Sequence, residues 1–332
     1  MTITADYDLT RHNTFGVKAV CSRYVETSTT AETQAFVRGI QRGQRLIVLG
    51  GGSNMLFPPV VDATVLHPAI GGIETAVDGE TVTVSCGAGE RWDDVVALCV
   101  ERGYYGAENL SGIPGSVGAT AVQNIGAYGA EAKDIICGVE AVDTSTGDVV
   151  TLSPADCRYG YRSSRFKDEW RGRYVVTHVS YRLSSIFRPL LGYGNLRDAL
   201  GGARPTAAAV RRAVVAMRAA KLPDPAKEGN AGSFFMNPVV SAEVFRRLAD
   251  AYPAVPHYAA PDGVKLSAGW LIEQCGWKGR TLGRAGVHDR QALVLVNRGG
   301  ATADDILRLM HAIHDDVAQR FGIELRPEVV IV

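Results

Sequence analysis

Apolar and polar positions follow two rhythms along this chain, and the switches between them lay out most of its elements. From residue 31 to 41 the spacing is helical, and after Gly43 the run 46–49 reads as a strand that stops at Gly50-Gly51-Gly52-Ser53-Asn54. Two hairpins are predicted where alternating runs close on turn residues, one at Asp78-Gly79 and one at Thr146-Gly147-Asp148 between 140–144 and 149–152. Between them Trp92, Val95, Val96 and Cys99 recur at i, i+3, i+4 and i+7 with Gly103 as a stop, which predicts a helix covering one face of a sheet. The run 173–183 alternates like a further strand, and 206–220 reads as a helix after Pro205 with Val210, Val214 and Met217 on one face. The prolines of Lys221-Leu222-Pro223-Asp224-Pro225 mark a domain boundary. Beyond it come a helix capped by Ser241 with Val244, Phe245 and Leu248, a helix around 270–275, a strand at 292–297 and a long helix at 303–321. Thr302 and Asp305 form a capping arrangement for that last helix, whose inward face carries Ile306, Met310, Ile313 and Val317.

Composition narrows the class. The 332 residues are 46% hydrophobic and 21% charged, with 35 basic against 35 acidic side chains, as expected of a soluble globular protein of two or three domains. A neutral balance removes the broad attraction that nucleic-acid binding requires, so any phosphate site must be local. The six cysteines, Cys21, Cys86, Cys99, Cys137, Cys157 and Cys275, show neither a C-x-x-C pair nor a nearby histidine cluster, and they read as reduced thiols. His311 and His314 lie three apart on a predicted helix without a third ligand, so no metal site is expected. No basic leader precedes an apolar segment and no run of about 18 apolar residues occurs, so the expected address is the cytoplasm, with no membrane partner.

Two glycine-rich segments carry the case for a ligand: Gly50–Asn54, and Ser111–Ala119 with its continuation Gln123-Asn124-Ile125-Gly126-Ala127-Tyr128-Gly129. Neither has the spacing of a dinucleotide fingerprint or a P-loop. Glycine still uncovers backbone N–H groups that can cradle a diphosphate, although such loops are often only turns. The segment 159–167 is dense in cations and aromatics; Arg162 either clamps a carboxylate with its planar fork or is merely solvated. Ser233 sits in Gly229-Asn230-Ala231-Gly232-Ser233-Phe234-Phe235-Met236-Asn237-Pro238 without the Gly-x-Ser-x-Gly frame of a nucleophile elbow, which points to general acid work instead. Glu328, in a β-branched run, is either an edge-strand surface charge or a buried acid.

Taken together and in order, Asn13-Thr14-Phe15-Gly16, Gly50–Asn54, 113–118, 123–129, Tyr161-Arg162-Ser163-Ser164, 229–238 and Arg326-Pro327-Glu328 resemble the UDP-N-acetylenolpyruvoylglucosamine reductases over nearly the whole chain. The resemblance implies an α+β, three-domain flavoprotein with a flavin-binding region like that of vanillyl-alcohol oxidase and p-cresol methylhydroxylase. It implies noncovalent FAD, NADPH as hydride donor and UDP-N-acetylglucosamine enolpyruvate as the molecule reduced to UDP-N-acetylmuramate, in a monomer without nucleic acid. By the same match, Arg162 and Glu328 polarise the substrate carboxylate and Ser233 protonates the adjacent carbon.

FAD contacts are carried over to Gly51, Gly52, Ser53, Asn54, Ile113, Pro114, Gly115, Ser116, Gly118, Gln123, Asn124 and Gly126. Substrate contacts fall on Lys221, Asn237 and Gln291 for the nucleotide-sugar, Lys265 and Lys278 near the diphosphate, and Tyr193 on a closing loop that marks the longer subtype. Met236 departs from the pattern, which places a lysine there. The implied domains are 1–70 with 324–332, then 71–220, both for the flavin, and 221–323 for the substrate. Two rival readings remain: an oxidase of the same flavin fold, which would react fast with oxygen and not need Ser233, and a UDP-sugar binding protein without flavin.

Overall fold

In Thr81–Gly87, Val82, Val84 and Cys86 are buried in alternation, and Val179, Tyr181 and Leu183 repeat the pattern in Tyr174–Ser184, so these strands share one apolar face. They belong to a five-stranded antiparallel sheet in the order Val149–Leu152, Ile136–Asp143, Tyr174–Ser184, Thr81–Gly87, Ile73–Asp78. The helix Trp92–Arg102 lays Trp92, Val95, Val96 and Cys99 on that face and ends at Gly103 with φ 75°, as its sequence predicts. Full burial of each such large side chain stabilises the fold by about 2 kcal/mol.

The computed structural model describes residues 1–41, 43–202 and 205–332. They cluster into two compact units, one of 1–7, 21–52 and 62–220, the other of 8–20, 53–61 and 221–332. Besides the five-stranded sheet, the first unit holds a sheet in the order Thr2–Asp8, Val20–Thr27, Val60–Pro68, Leu46–Val48, whose last two strands are parallel. The helix Thr30–Gly39 packs Phe36 and Val37 with Val25 and Leu66. The helix Ala207–Lys221 buries Val210 and Val214 with Leu196, while Met217 packs at the cluster's edge.

The second unit is built on the long helix Ala303–Phe321. Thr302 and Asp305 cap it reciprocally, and Ile306, Met310, Ile313 and Val317 enter a core shared with Phe15, Phe234, Phe235 and Leu295. Its antiparallel sheet runs Gly229–Ser233, Val294–Asn297, Ala285–Val287, Thr281–Leu282. The chain's end returns to pair Val330–Ile331 in parallel with Met55–Leu56.

Four elements depart from the sequence reading. Thr2–Asp8 and Val60–Pro68 are strands that the pattern does not announce, the first being exposed at six of its seven positions. The segment read as a continuous glycine loop contains the helix Val117–Gln123, hidden because its buried face is Val117, Gly118, Thr120 and Ala121, too small to mark an apolar stripe. Gly229–Ser233 is a strand despite glycines at both Gly229 and Gly232, since its backbone pairing and packing override weak propensity.

Candidate active site

In the first unit the two glycine segments meet backbone to backbone. A Cβ on Gly51 would lie 2.9 Å from the Cα of Gly115, and one on Gly50 would lie 2.6 Å from the hydroxyl oxygen of Ser116, so only glycine permits this approach. Gly52, Ser116 and Gly118 are buried, Gly115 and Ile113 are half-buried, and Gly51 and Pro114 face outward. Gln123 ends the adjacent helix with its Oε1 buried and without a hydrogen-bond partner among the described residues. Such an orphaned acceptor costs about 1–3 kcal/mol unless something meets it.

Asn124, which continues from Gln123, is fully buried with φ 44°. Its Nδ2 donates to Glu131 Oε2 and to the Gly160 carbonyl, each at 2.8 Å, and its Oδ1 accepts from the Lys133 N–H at 3.0 Å. The side chain therefore holds the turn at Gly160, which pairs with Ser163 and carries Arg162 at its tip. Arg162 itself is half-buried, has φ 53°, and donates from Nη2 to the Gly126 carbonyl at 2.8 Å. A non-glycine residue in this region stores strain, which persists where the surroundings over-determine it. The loop of Tyr193 is exposed at its tip but anchored below, because Asn109 donates to both the Tyr128 and Leu190 carbonyls at 2.8 Å.

Sequence reasoning missed two participants here. Arg218 lies one helical turn before Lys221 and donates from Nε to the Gly112 carbonyl at 3.0 Å. Burial pulls its guanidinium below the usual arginine range, and the positive charge of nearby Arg162 adds to that effect while Tyr128 opposes it. Asp93 accepts from the Gly112 N–H at 2.6 Å and pairs with both Nη atoms of Arg211 at 2.5 and 2.9 Å. Both residues sit on amphipathic helices among ordinary charges, so only their distant partners reveal them.

In the second unit three residues far apart in sequence are drawn together. Glu328 donates its N–H to the Phe234 carbonyl at 2.8 Å, one residue from Ser233, and Met236 donates its own to Arg326 at 2.9 Å. Asn54 Nδ2 donates to the Glu328 carbonyl at 3.2 Å, and the Asn54 carbonyl accepts from Val330 at 3.0 Å. Glu328 is half-buried beside this pairing, as are Ser53, Asn54 and Ser233. Phe234 and Phe235, both within 1% of full burial, anchor the chain immediately after Ser233.

The expected substrate residues spread outward from this core. Asn237 Oδ1 accepts from Ala268 N–H at 2.9 Å at the start of the helix Ala268–Gln274. Gln291 Oε1 accepts from Leu293 N–H at 3.3 Å and would lie 3.3 Å from a Cβ on Gly269 of the same helix. Lys265 pairs across its sheet with Val239 and Tyr258, while Lys278 and Lys221 are exposed and Lys278 engages Glu273 at 2.9 Å. All six cysteines are free thiols, and no metal-ligating cluster occurs among the described residues.

The donor set fits a flavin dinucleotide. Gly51 and Gly115 bring the backbones of two glycine segments into contact, a source of N–H donors for a diphosphate, and Gln123 adds an amide whose oxygen has no partner among the described residues. Arg162 and Arg218 add positive charge in the same unit, suited to negative charge that develops during a reaction.

Comparison with known proteins gives a consistent answer. Residues 21–153 match the FAD binding domain family, and residues 224–332 match the C-terminal domain of UDP-N-acetylenolpyruvoylglucosamine reductase. Among curated relatives bearing that reductase name, the protein of Paraburkholderia phymatum is 48% identical over 98% of this chain and 96% of its own. That of Bacteroides fragilis is 46% identical over 97% of this chain and 98% of its own, and that of Bordetella pertussis 47% over 98% and 94%. The crystal structure of the reductase from Thermus caldophilus superposes with a TM-score of 0.69 at 23% identity, covering 99% of this chain and 98% of that one, a likeness of fold.

Proposed function

The chain belongs to the UDP-N-acetylenolpyruvoylglucosamine reductase family, and from that premise we propose how its own residues perform the reaction. The protein is an FAD-dependent UDP-N-acetylmuramate dehydrogenase of peptidoglycan precursor synthesis: it reduces UDP-N-acetylglucosamine enolpyruvate with NADPH. FAD, when bound, takes up the reducing equivalents of NADPH and returns them to the enolpyruvyl double bond.

Gly51, Gly52, Ser53, Asn54, Ile113, Pro114, Gly115, Ser116, Gly118, Gln123 and Gly126 bind the flavin, and Asn124 acts by holding the Arg162 turn. Arg162 and Glu328 polarise the substrate carboxylate, so that charge growing on the carbon beside it is drawn toward fixed donors. Ser233 then gives up its hydroxyl proton to that carbon. The observation that carries this reading is Arg162 at φ 53°, braced through Gly126 in a conformation that its own chemistry does not favour. Lys221, Asn237, Lys265, Lys278, Gln291 and Tyr193 take the nucleotide-sugar. We divide the work between 1–70 with 324–332 and 71–220 for the flavin, and 221–323 for the substrate. The enzyme acts as a cytoplasmic monomer; no described helix is long and apolar enough to cross a membrane.

The test follows visible flavin absorption under anaerobic conditions as NADPH and then the enolpyruvyl substrate are added. Bleaching followed by substrate-driven recovery is expected. Reduced flavin that ignores the substrate but reacts fast with oxygen would favour an oxidase, and a colourless protein that FAD cannot reconstitute would overturn the assignment.

A further inference from the structure

Asn230, which no motif assigned a role, is the keystone of the strand that carries Ser233. It is 2% exposed. Its Oδ1 accepts from the Gly232 N–H at 2.9 Å, and its Nδ2 donates to the carbonyls of Glu228 at 2.8 Å and Pro223 at 3.3 Å. Its backbone N–H donates to the Thr14 carbonyl at 2.9 Å. The amide has one workable orientation, because a flip would set N–H against N–H and oxygen against two carbonyls.

What this network holds is a bulge. Asn230 pairs with Val296 and Ser233 with Val294, so Gly229–Ser233 carries one residue more than its partner strand between these points. Gly232 absorbs the extra residue at φ 69°, in open space where an added Cβ would meet nothing within 4 Å. Since Val296 and Val294 lie two apart, the bulge turns Ser233 to the side of the ribbon that Asn230 occupies; an unbroken strand would turn it to the other.

We infer that Asn230 is a positioning residue for proton donation: by fixing Gly232 in its left-handed conformation it aims the Ser233 hydroxyl, and through Pro223 it ties the segment following Lys221 to the same frame. This rests on Ser233 being the proton donor. In the step concerned, the double bond has gained a hydride at its terminal carbon, with NADPH as the two-electron donor. The Oγ–H bond of Ser233 then breaks as a C–H bond forms at the carbon bearing the carboxylate, and solvent returns a proton to the serine. A misaimed hydroxyl slows this transfer and leaves the delivery of electrons from NADPH alone.

Holoenzymes carrying Asn230→Asp, Asn230→Ala, Gly232→Ala and Ser233→Ala separate the two half-reactions in anaerobic stopped-flow absorbance. Aspartate keeps the shape of asparagine but points oxygen at two carbonyls; Gly232→Ala leaves the amide intact and strains φ alone. Bleaching by NADPH is expected within about twofold of wild type in every variant, while recovery on the enolpyruvyl substrate slows at least about tenfold in the Asn230 variants. Their recovery should show a larger solvent deuterium isotope effect than wild type. Amide hydrogen exchange at Gly232 should accelerate by about fivefold or more in Asn230→Ala. Equal slowing of both half-reactions, or wild-type recovery in the Asn230 variants while Ser233→Ala is slow, overturns the inference. Wild-type recovery in Ser233→Ala removes the premise instead, so the two failures are told apart. If Asn230→Ala does not fold, Asn230→Asp and Gly232→Ala decide the matter on the same readings.

Discussion

Gly112 in the first unit and Gly232 in the second are held at nearly the same backbone angle, φ 68° and 69°, by side chains of opposite character. The Gly112 N–H meets the Asp93 carboxylate at 2.6 Å, its carbonyl meets Arg218, and Arg211 neutralises Asp93 from behind. The Gly232 N–H meets the neutral amide of Asn230 at 2.9 Å. Charge-assisted bonds are shorter and stronger than neutral ones, but they titrate and they project a field. Where the task is to collect negative charge, as around Arg162 and Arg218, such a field helps. Where a hydroxyl must give up a proton at the right moment, a neutral frame fixes geometry without adding a charge of its own beside the donor. On the roles proposed for Arg162 and Ser233, the two units hold their glycines with frames suited to the charge that each neighbourhood would manage.

The largest expected effect removes what the neutral frame presents. Ser233→Ala should lower steady-state turnover by about 100-fold or more, the scale of a lost general acid, with FAD content and NADPH-driven bleaching unchanged. Loss of flavin from this variant would show that the two neighbourhoods are not separable. Next comes the wall of that frame: a Cβ on Gly229 would lie 2.1 Å from the Phe15 carbonyl oxygen, the segment that also accepts Asn297 Nδ2 at 2.9 Å. Gly229→Ala should therefore cost about 3 kcal/mol in denaturant unfolding, at the upper end of overpacking effects. A change below about 0.5 kcal/mol would mean that Phe15 yields freely.

The charged frame breaks by pH. Burial alone would raise the Asp93 carboxyl, but hydrogen bonds from Arg211 and Gly112 and the Arg211 charge outweigh it, leaving the group below its ordinary 3.8. A carboxyl lowered in the folded state contributes fully above its unfolded pKa and loses that contribution as pH falls through the folded value. Wild-type protein should thus lose stability below about pH 4 more steeply than Asp93→Asn, which should cost about 2 kcal/mol at neutral pH. Asn230→Asp, by contrast, should be worse at neutral pH than under acid conditions, since a neutral carboxyl regains one donor. Parallel pH profiles for the two variants would erase the distinction between the frames.

How much of this was open to sequence reading depended on whether the controlling contact was local. Gly103, Ser241 and the Thr302–Asp305 box are legible because a cap lies within a turn of its helix. Arg162, Ser233 and Glu328 can be named from motif resemblance, yet the bond from Asn54 that holds the Glu328 carbonyl spans most of the chain and leaves no periodic trace. Asn230 lies inside a motif without a sequence sign of its role, since its polar partners are backbone atoms of Pro223, Glu228, Gly232 and Thr14, which any sequence supplies. Arg218 and Asp93 give no sequence signal either, because their partners Gly112 and Arg211 lie more than a hundred residues away or in an ordinary glycine loop. Glycines misled in two ways, masking the helix Val117–Gln123 and the strand Gly229–Ser233 by diluting the pattern that each should show.

The smallest expected effect adds charge to the neutral side. Met236 is half-buried two residues beyond the Ser233–Phe234 junction, and its backbone is fixed by the N–H bond to Arg326. Met236→Lys inserts an ammonium on a flexible stem without altering that bond, so folding should change by less than about 0.5 kcal/mol. A solvated cation near an anionic nucleotide-sugar contributes about 0.2–1 kcal/mol, which corresponds to a KM lowered by up to about fivefold, weakening as salt is raised. Turnover should stay within about twofold, because the ammonium strengthens binding of substrate and transition state alike. If turnover falls while KM holds, the added field has reached Ser233 itself, and the neutrality of the Asn230 frame becomes a requirement of proton donation rather than a convenience of packing.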